Sequence, residues 1–175
     1  MCGLTRRGES RPRLWRALLA GLVMAAAIGG CSSMRPAPIF TAREVPAETS
    51  LPVVSRDDLL SEISLYPGVG YRPGGDSFEG VDCSGLVRAV FNPLGVALPR
   101  TAAELFESGV PIGRGDVRAG DLVFFGGRTP DHVGIAVSNR EMVHASTSRG
   151  VIMEGIETYA AASRFSGARR VVTLR

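Results

Sequence analysis

Two short runs of this chain can pair so that both of its histidines fall on one surface, and that pairing constrains the fold more than any other feature. Residues 132–137 (HVGIAV) and 141–146 (EMVHAS) alternate like half-buried strands, with Ser138-Asn139-Arg140 between them. Val133, Ile135 and Val137 share one face, and His132, Gly134 and Ala136 share the other. In the second run Val143 and Ala145 alternate with Met142, His144 and Ser146. A three-residue turn pairs positions whose numbers sum to 278, which sets His144 opposite Gly134. His132 is then its diagonal neighbour on the same face, within side-chain reach. A two-residue turn would flip one histidine to the other face. Gly134 places no side chain between the rings.

These are the only two His in the chain. Upstream stands Asp82-Cys83-Ser84-Gly85, and Asp82 or Cys83 opens an expected helix whose apolar positions are Leu86, Val87, Val90 and Phe91. Asn92-Pro93 ends it. A thiol at a helix N-terminus with an imidazole on a later strand is an arrangement for nucleophilic catalysis. In this reading Cys83 is the nucleophile, His132 the general base and acid, and His144 fixes the other ring nitrogen of His132. Helix terminus and imidazole together are expected to lower the thiol pKa below its free value of about 8.5. A buried inert cysteine is the plain alternative for Cys83, and a satisfied core histidine for His144. Zinc is a rival use of the same atoms, but no CxxC or HxxxH spacing is present, so no metal and no cofactor is called for. Asp82 and Ser84 either line a substrate cleft or cap the helix. Arg100 either meets a substrate carboxylate or pairs with an acid of the fold. Asp131 is read as a turn residue.

The N-terminus reads as an export signal. Arg6, Arg7, Arg11, Arg13 and Arg16 precede an apolar run from Ala17 to Ile28. A membrane span needs about 20 apolar residues, so this run is a signal core and not a span. It ends Ile28-Gly29-Gly30-Cys31, which resembles a bacterial lipobox, with Cys31 as the lipid-modified first residue of the mature chain. An ordinary signal peptide with an incidental Cys is the alternative. Ser32 after Cys31 resembles the outer-membrane default of lipoprotein sorting. The expected organisation is therefore a signal peptide over 1–30, an acylated Cys31 with a Pro-, Ala-, Ser- and Thr-rich tether to residue 54, and one domain over 55–175.

Processing reverses the charge argument. All 20 basic residues are Arg, against 17 acidic residues. Residues 1–30 carry five of the Arg and one acid, Glu9, so the mature part holds 15 Arg and 16 acids. A nucleic-acid partner is therefore not expected. Of the three Cys, Cys2 leaves with the signal and Cys31 takes the lipid, so Cys83 is the one thiol left in the domain.

Other elements follow from capping and alternation. Ser55 with Asp58, and Thr101 with Glu104, are expected to start helices. The Gly- and Pro-rich residues 65–80 read as a loop. Strands are expected over 121–125, 150–154 and 168–174, with a short helix near 156–163.

The Asp82–Gly85 box, Leu98-Pro99-Arg100-Thr101, the strand from Gly120 to Phe125, Asp131–Ile135 and the strand around Met142–Ser146 together resemble the NlpC/P60 family of bacterial cell-wall cysteine peptidases. The resemblance spans roughly residues 55–175. It implies an α+β, papain-like fold, with helices packed on a mostly antiparallel sheet and the Cys at a helix N-terminus. It places nucleophile, base and orienting residue on Cys83, His132 and His144, and it assigns Tyr71 to the oxyanion or to substrate positioning. Pro73 stands where Trp is common in the family. The implied activity is hydrolysis of peptidoglycan stem peptides, with D,D cross-links the preferred bond. A γ-D-glutamyl-diaminopimelate bond, an amidase or acyltransferase reaction, and a non-catalytic wall-binding role are the alternatives. The export signal, the lipobox and Ser32 imply a periplasmic location, lipid-anchored to the outer membrane. No residue points to a regulator.

Overall fold

The computed structural model describes residues 50–175. The expected signal segment, the acylated Cys31 and residues 32–49 of the tether lie outside the described residues. The domain runs β1 (Val53–Val54), α1 (Arg56–Ser64), β2 (Asp76–Ser77), β3 (Gly80–Val81), α2 (Cys83–Phe91) and α3 (Ala102–Phe106). It continues β4 (Val110–Ile112), β5 (Asp121–Gly126), β6 (Pro130–Ala136), β7 (Glu141–Ser146), β8 (Gly150–Gly155), α4 (Ile156–Ala162), β9 (Phe165–Arg170) and β10 (Thr173–Leu174).

Each long helix starts where a side chain satisfies the free amides of its first turn. The Ser55 hydroxyl accepts from Asp58 N–H at 3.4 Å, and the Asp82 carboxylate accepts from Gly85 N–H at 2.7 Å. Thr101 and Glu104 form the full reciprocal capping box.

Six strands form one antiparallel sheet in the order β4-β9-β5-β6-β7-β8. Strand alternation sends Phe124, Val133, Ile135, Val143 and Ala145 to one face, where Leu86, Val87, Val90 and Phe91 of α2 cover them. Val123, Phe125, Ala136 and Met142 face the other way, under Ile156 and Tyr159 of α4. This is the expected α+β architecture of helices on a mostly antiparallel sheet. Strand β5 is buried along both faces, which explains its unbroken apolar sequence. Its first residue, Asp121, is buried but matched: Arg170 donates to both carboxylate oxygens at 2.8 Å. That fork ties β5 to β9.

Three expectations change. The tether was expected to reach residue 54, but Val53–Val54 pair in parallel with Thr173–Leu174, and Val54 is buried in the core. Backbone pairing and burial therefore start the domain before Ser55. The single strand expected over 168–174 is two strands in different sheets. Val171 and Val172 are both buried, which breaks the alternation and carries the chain from the main sheet to β1. The loop over 65–80 holds a small hairpin, β2 with β3, and a bridge from Tyr71 to Val81.

Candidate active site

The β6–β7 pairing has the register derived from the three-residue turn: Ile135 lies opposite Val143 and Ala136 opposite Met142. The two histidines meet as that register requires. His132 Nε2 lies 3.0 Å from His144 Nδ1, with the rings edge to face. A Cβ on Gly134 would stand 2.7 Å from Met142 Sδ and 3.4 Å from His144 Cβ, so glycine keeps this approach open.

The line continues away from the sheet centre. His144 Nε2 lies 3.1 Å from Glu154 Oε2, and Arg149 donates to the same oxygen at 3.0 Å. His144 is fully buried. The ring of Tyr159 stacks on His132 with 5.0 Å between centroids and meets His144 edge-on at 4.9 Å. Neither Glu154 nor Tyr159 was singled out from sequence. The signal for Glu154 was present: with Thr147-Ser148-Arg149 as the turn, β7 pairs with β8 so that His144 faces Ile152 and Met142 faces Glu154. Glu154 is thereby the diagonal neighbour of His144 on the histidine face. Tyr159 had no comparable signal, because a helix-to-sheet contact leaves no register in the chain.

Cys83 is the first residue of α2 and is half-buried. Its Sγ lies 3.8 Å from the Asp131 carbonyl, and the backbone N–H of Val133 also reaches it, so the thiol sits against the backbone on both sides of His132. The backbone N–H groups of Ser84 and Cys83 approach the sulfur as well.

Two glycines allow the loop before α2 to close over its first turn. A Cβ on Gly85 would lie 1.9 Å from the Gly75 carbonyl, and one on Gly75 would lie 2.2 Å from the Gly80 carbonyl. Tyr71 is held by its bridge to Val81 and lines an open cleft of about 440 Å³ together with Asp82, Cys83, Ser84, Arg100 and Asp131. Arg100 forks onto Asp82 at 2.9 and 2.7 Å and donates to the Ser84 hydroxyl at 2.8 Å. Gly74 N–H adds a further bond to Asp82 at 2.8 Å. Asp82 thus caps the helix, and Arg100 pairs with an acid of the fold while still facing the cleft.

Burial shapes the electrostatics. It would raise the Asp82 carboxyl, but Arg100 and the Gly85 and Gly74 amides outweigh it and hold the group below the usual carboxylate range. Burial pushes His132 down to about 4, helped by His144 and opposed by Asp131. It also lowers His144, against the pull of Glu154. The Cys83 thiol is pushed up by burial and by Asp82, and the backbone amides only partly compensate. A lowered thiol was expected from the helix N-terminus; desolvation outweighs that effect here, and the neutral His132 supplies no cation to reverse it. Thiol and imidazole therefore rest as a neutral pair near pH 7.

Comparison with known proteins fits this arrangement. Residues 68–170 match the NlpC/P60 family. The chain is 35% identical to the murein DD-endopeptidase MepS/murein LD-carboxypeptidase of Escherichia coli K12, over 94% of this chain and 98% of that protein. It is 34% identical to the probable endopeptidase NlpC of the same organism, over 86% of this chain and 96% of that protein. The solved structure of an NlpC/P60 family protein from Bacillus cereus superposes with a TM-score of 0.65 at 26% identity. That match covers 70% of this chain but only 42% of the Bacillus protein, so the chain spans less than half of that relative. The chain belongs to the NlpC/P60 family and is a hydrolase of the cysteine-peptidase class.

Proposed function

We propose that this protein is a peptidoglycan endopeptidase that cuts D,D cross-links between peptide stems, with Cys83, His132 and His144 as its reacting and orienting groups. The observation that carries the reading is the thiol held against the backbone on both sides of His132 at the edge of an open cleft, with His144 bonded to Nε2 of the His132 ring. The substrate rests on the similarity to the murein endopeptidase, which extends over nearly the whole of both chains.

His132 Nε2 is engaged with His144, so Nδ1 is the nitrogen left for the thiol. As Cys83 Sγ bonds to the scissile carbonyl carbon, its proton passes to His132 Nδ1. The Cys83 and Ser84 amides, with the Tyr71 hydroxyl, face the developing oxyanion. Collapse breaks the C–N bond, and the imidazolium gives its proton to the leaving amine. Water then attacks the thioester, losing a proton to His132, and the thiol leaves with that proton. Arg100, Asp82 and Ser84 form the cleft wall that meets the stem peptide.

The export signal, the lipid on Cys31 and the extended tether would put the domain in the periplasm on an outer-membrane anchor. The tether that remains before β1, residues 32–52, reaches about 65 Å when extended. The name of the Escherichia coli relative also supports a second reading, removal of a terminal residue by LD-carboxypeptidase action.

Incubation of residues 32–175, wild type and Cys83→Ala, with defined muropeptides and mass analysis separates these. Conversion of cross-linked dimers to monomers by wild type alone supports D,D cleavage. Loss of one terminal residue from a tetrapeptide stem moves the activity to LD-carboxypeptidase. A cut at the γ-D-glutamyl bond, or no product, rejects both.

A further inference from the structure

We propose that Glu154 is a positioning residue that holds both imidazoles in the Nε2–H tautomer and so leaves Nδ1 of His132 as the proton acceptor for Cys83. The inference rests on the reading of His132 as the base and adds the group that sets its proton.

Three strands carry the line. His132 on β6 is diagonal to His144 on β7, and His144 is diagonal to Glu154 on β8. The hydrogen bonds along it allow a single assignment once Glu154 is ionised. A carboxylate only accepts, so at 3.1 Å His144 Nε2 must carry the hydrogen. A neutral ring has one N–H, so His144 Nδ1 is a lone pair. The 3.0 Å contact then requires His132 Nε2 to donate, and His132 Nδ1 is left unprotonated. The opposite tautomers would aim an N–H at the thiol, and the proton would have nowhere to go.

Several features keep the carboxylate in place. Arg149 donates to the same oxygen that accepts from His144. The Glu154 side chain is 18% exposed and the His144 side chain 1%, so water competes poorly for the His144 bond. Tyr159 covers both rings from α4. The titratable and charged groups around the pair are Glu154 and Arg149 on the β8 side, Asp131 beside His132, Cys83 on α2 and Tyr159 on α4. Glu154 bonds His144 Nε2 and His144 Nδ1 bonds His132, so His144 stands between Glu154 and the ring that takes the proton. Glu154 therefore acts through His144 and not on substrate, and its loss should lower kcat while leaving KM unchanged.

The test is a long-range proton–nitrogen spectrum of the untagged full-length protein near pH 7. The chain has only two His, so the spectrum holds two ring systems and no others. Both rings are expected neutral with the hydrogen on Nε2. In Glu154→Ala the His144 ring is expected to lose its single tautomer and kcat to fall about 10–100-fold. In Glu154→Gln the amide oxygen, held by Arg149, is expected to keep the tautomer and restore part of kcat. An Nδ1–H on either ring of the wild type overturns the proposal, and that result needs no active or mutant enzyme. Unchanged tautomers and kcat in Glu154→Ala overturn it equally. The spectrum is read without turnover, so a failed peptidase assay strikes the functional reading alone.

Discussion

Gly134→Ala isolates the packing that lets the two histidines touch. The added methyl would stand 2.7 Å from Met142 Sδ, 3.2 Å from the Val143 carbonyl and 3.4 Å from His144 Cβ. Carbon and sulfur rest at roughly 3.5–4 Å or more, so the Met142 contact is short by about 1 Å. Met142 is fully buried between β6 and α4 and cannot swing into solvent. The strain falls on the β6–β7 pairing and on the 3.0 Å contact between His132 and His144. A shift of about 0.5 Å along that contact takes it to the limit of a hydrogen bond. Overpacking of this kind costs about 1–3 kcal/mol. A typical domain keeps about 5–15 kcal/mol, so Gly134→Ala remains folded at 25 °C. Its kcat should fall well beyond any loss of folded protein. Urea denaturation gives the stability change, and muropeptide turnover gives kcat on the same samples. Adding Met142→Ala removes the clashing sulfur and should recover part of kcat, although the new cavity costs about 2–5 kcal/mol more stability. A Gly134→Ala enzyme with wild-type kcat, or a double variant no better than the single, would refute the packing argument.

Cys83 should react with iodoacetamide more slowly than a free cysteine at pH 7, with the rate still climbing above pH 8.5, because burial raises the thiol; a rate already at its plateau near pH 6 would show a thiolate–imidazolium pair instead. On the acid side kcat/KM should persist until the pH nears the His132 value of about 4, since the base works only when neutral. The sign for stability follows from the same lowering: between about 6.5 and 4 the unfolded chain binds protons that folded His132 does not, so His132 makes the fold less stable as pH falls through that window. Denaturation midpoints of wild type and His132→Gln across that window check it, and equal pH slopes would contradict it. Asp121→Ala should cost about 3 kcal/mol, the low end for breaking a buried pair, because half-buried Arg170 loses its fork but keeps its bond to the Asp116 carbonyl; it is read as a drop in the urea midpoint with little change in KM.

Much of the site was legible because it depends on strand arithmetic and capping. The three-residue turn fixed which face His132 and His144 share, and Asp82 marked the helix start at Cys83 as Thr101 and Glu104 marked α3. Carrying the same arithmetic one strand further, from β7 to β8, would have found Glu154. Other parts depend on contacts between distant segments. The division of residues 165–174 between two sheets goes with Val171 and Val172 being buried together in the main core, against segments distant in sequence. The stacking of Tyr159 depends on where α4 lands on the sheet. The direction of the Cys83 shift was missed because a helix terminus can be read from sequence, whereas desolvation requires the packed structure.

The most direct test is intact-mass analysis of the enzyme quenched during turnover of a cross-linked muropeptide. A covalent acyl adduct is expected, mapping on digestion to the peptide that holds Cys83 and missing from Cys83→Ala, with product forming only where the adduct forms. Cross-link cleavage by Cys83→Ala, or an adduct on any other residue, would contradict catalysis by this thiol.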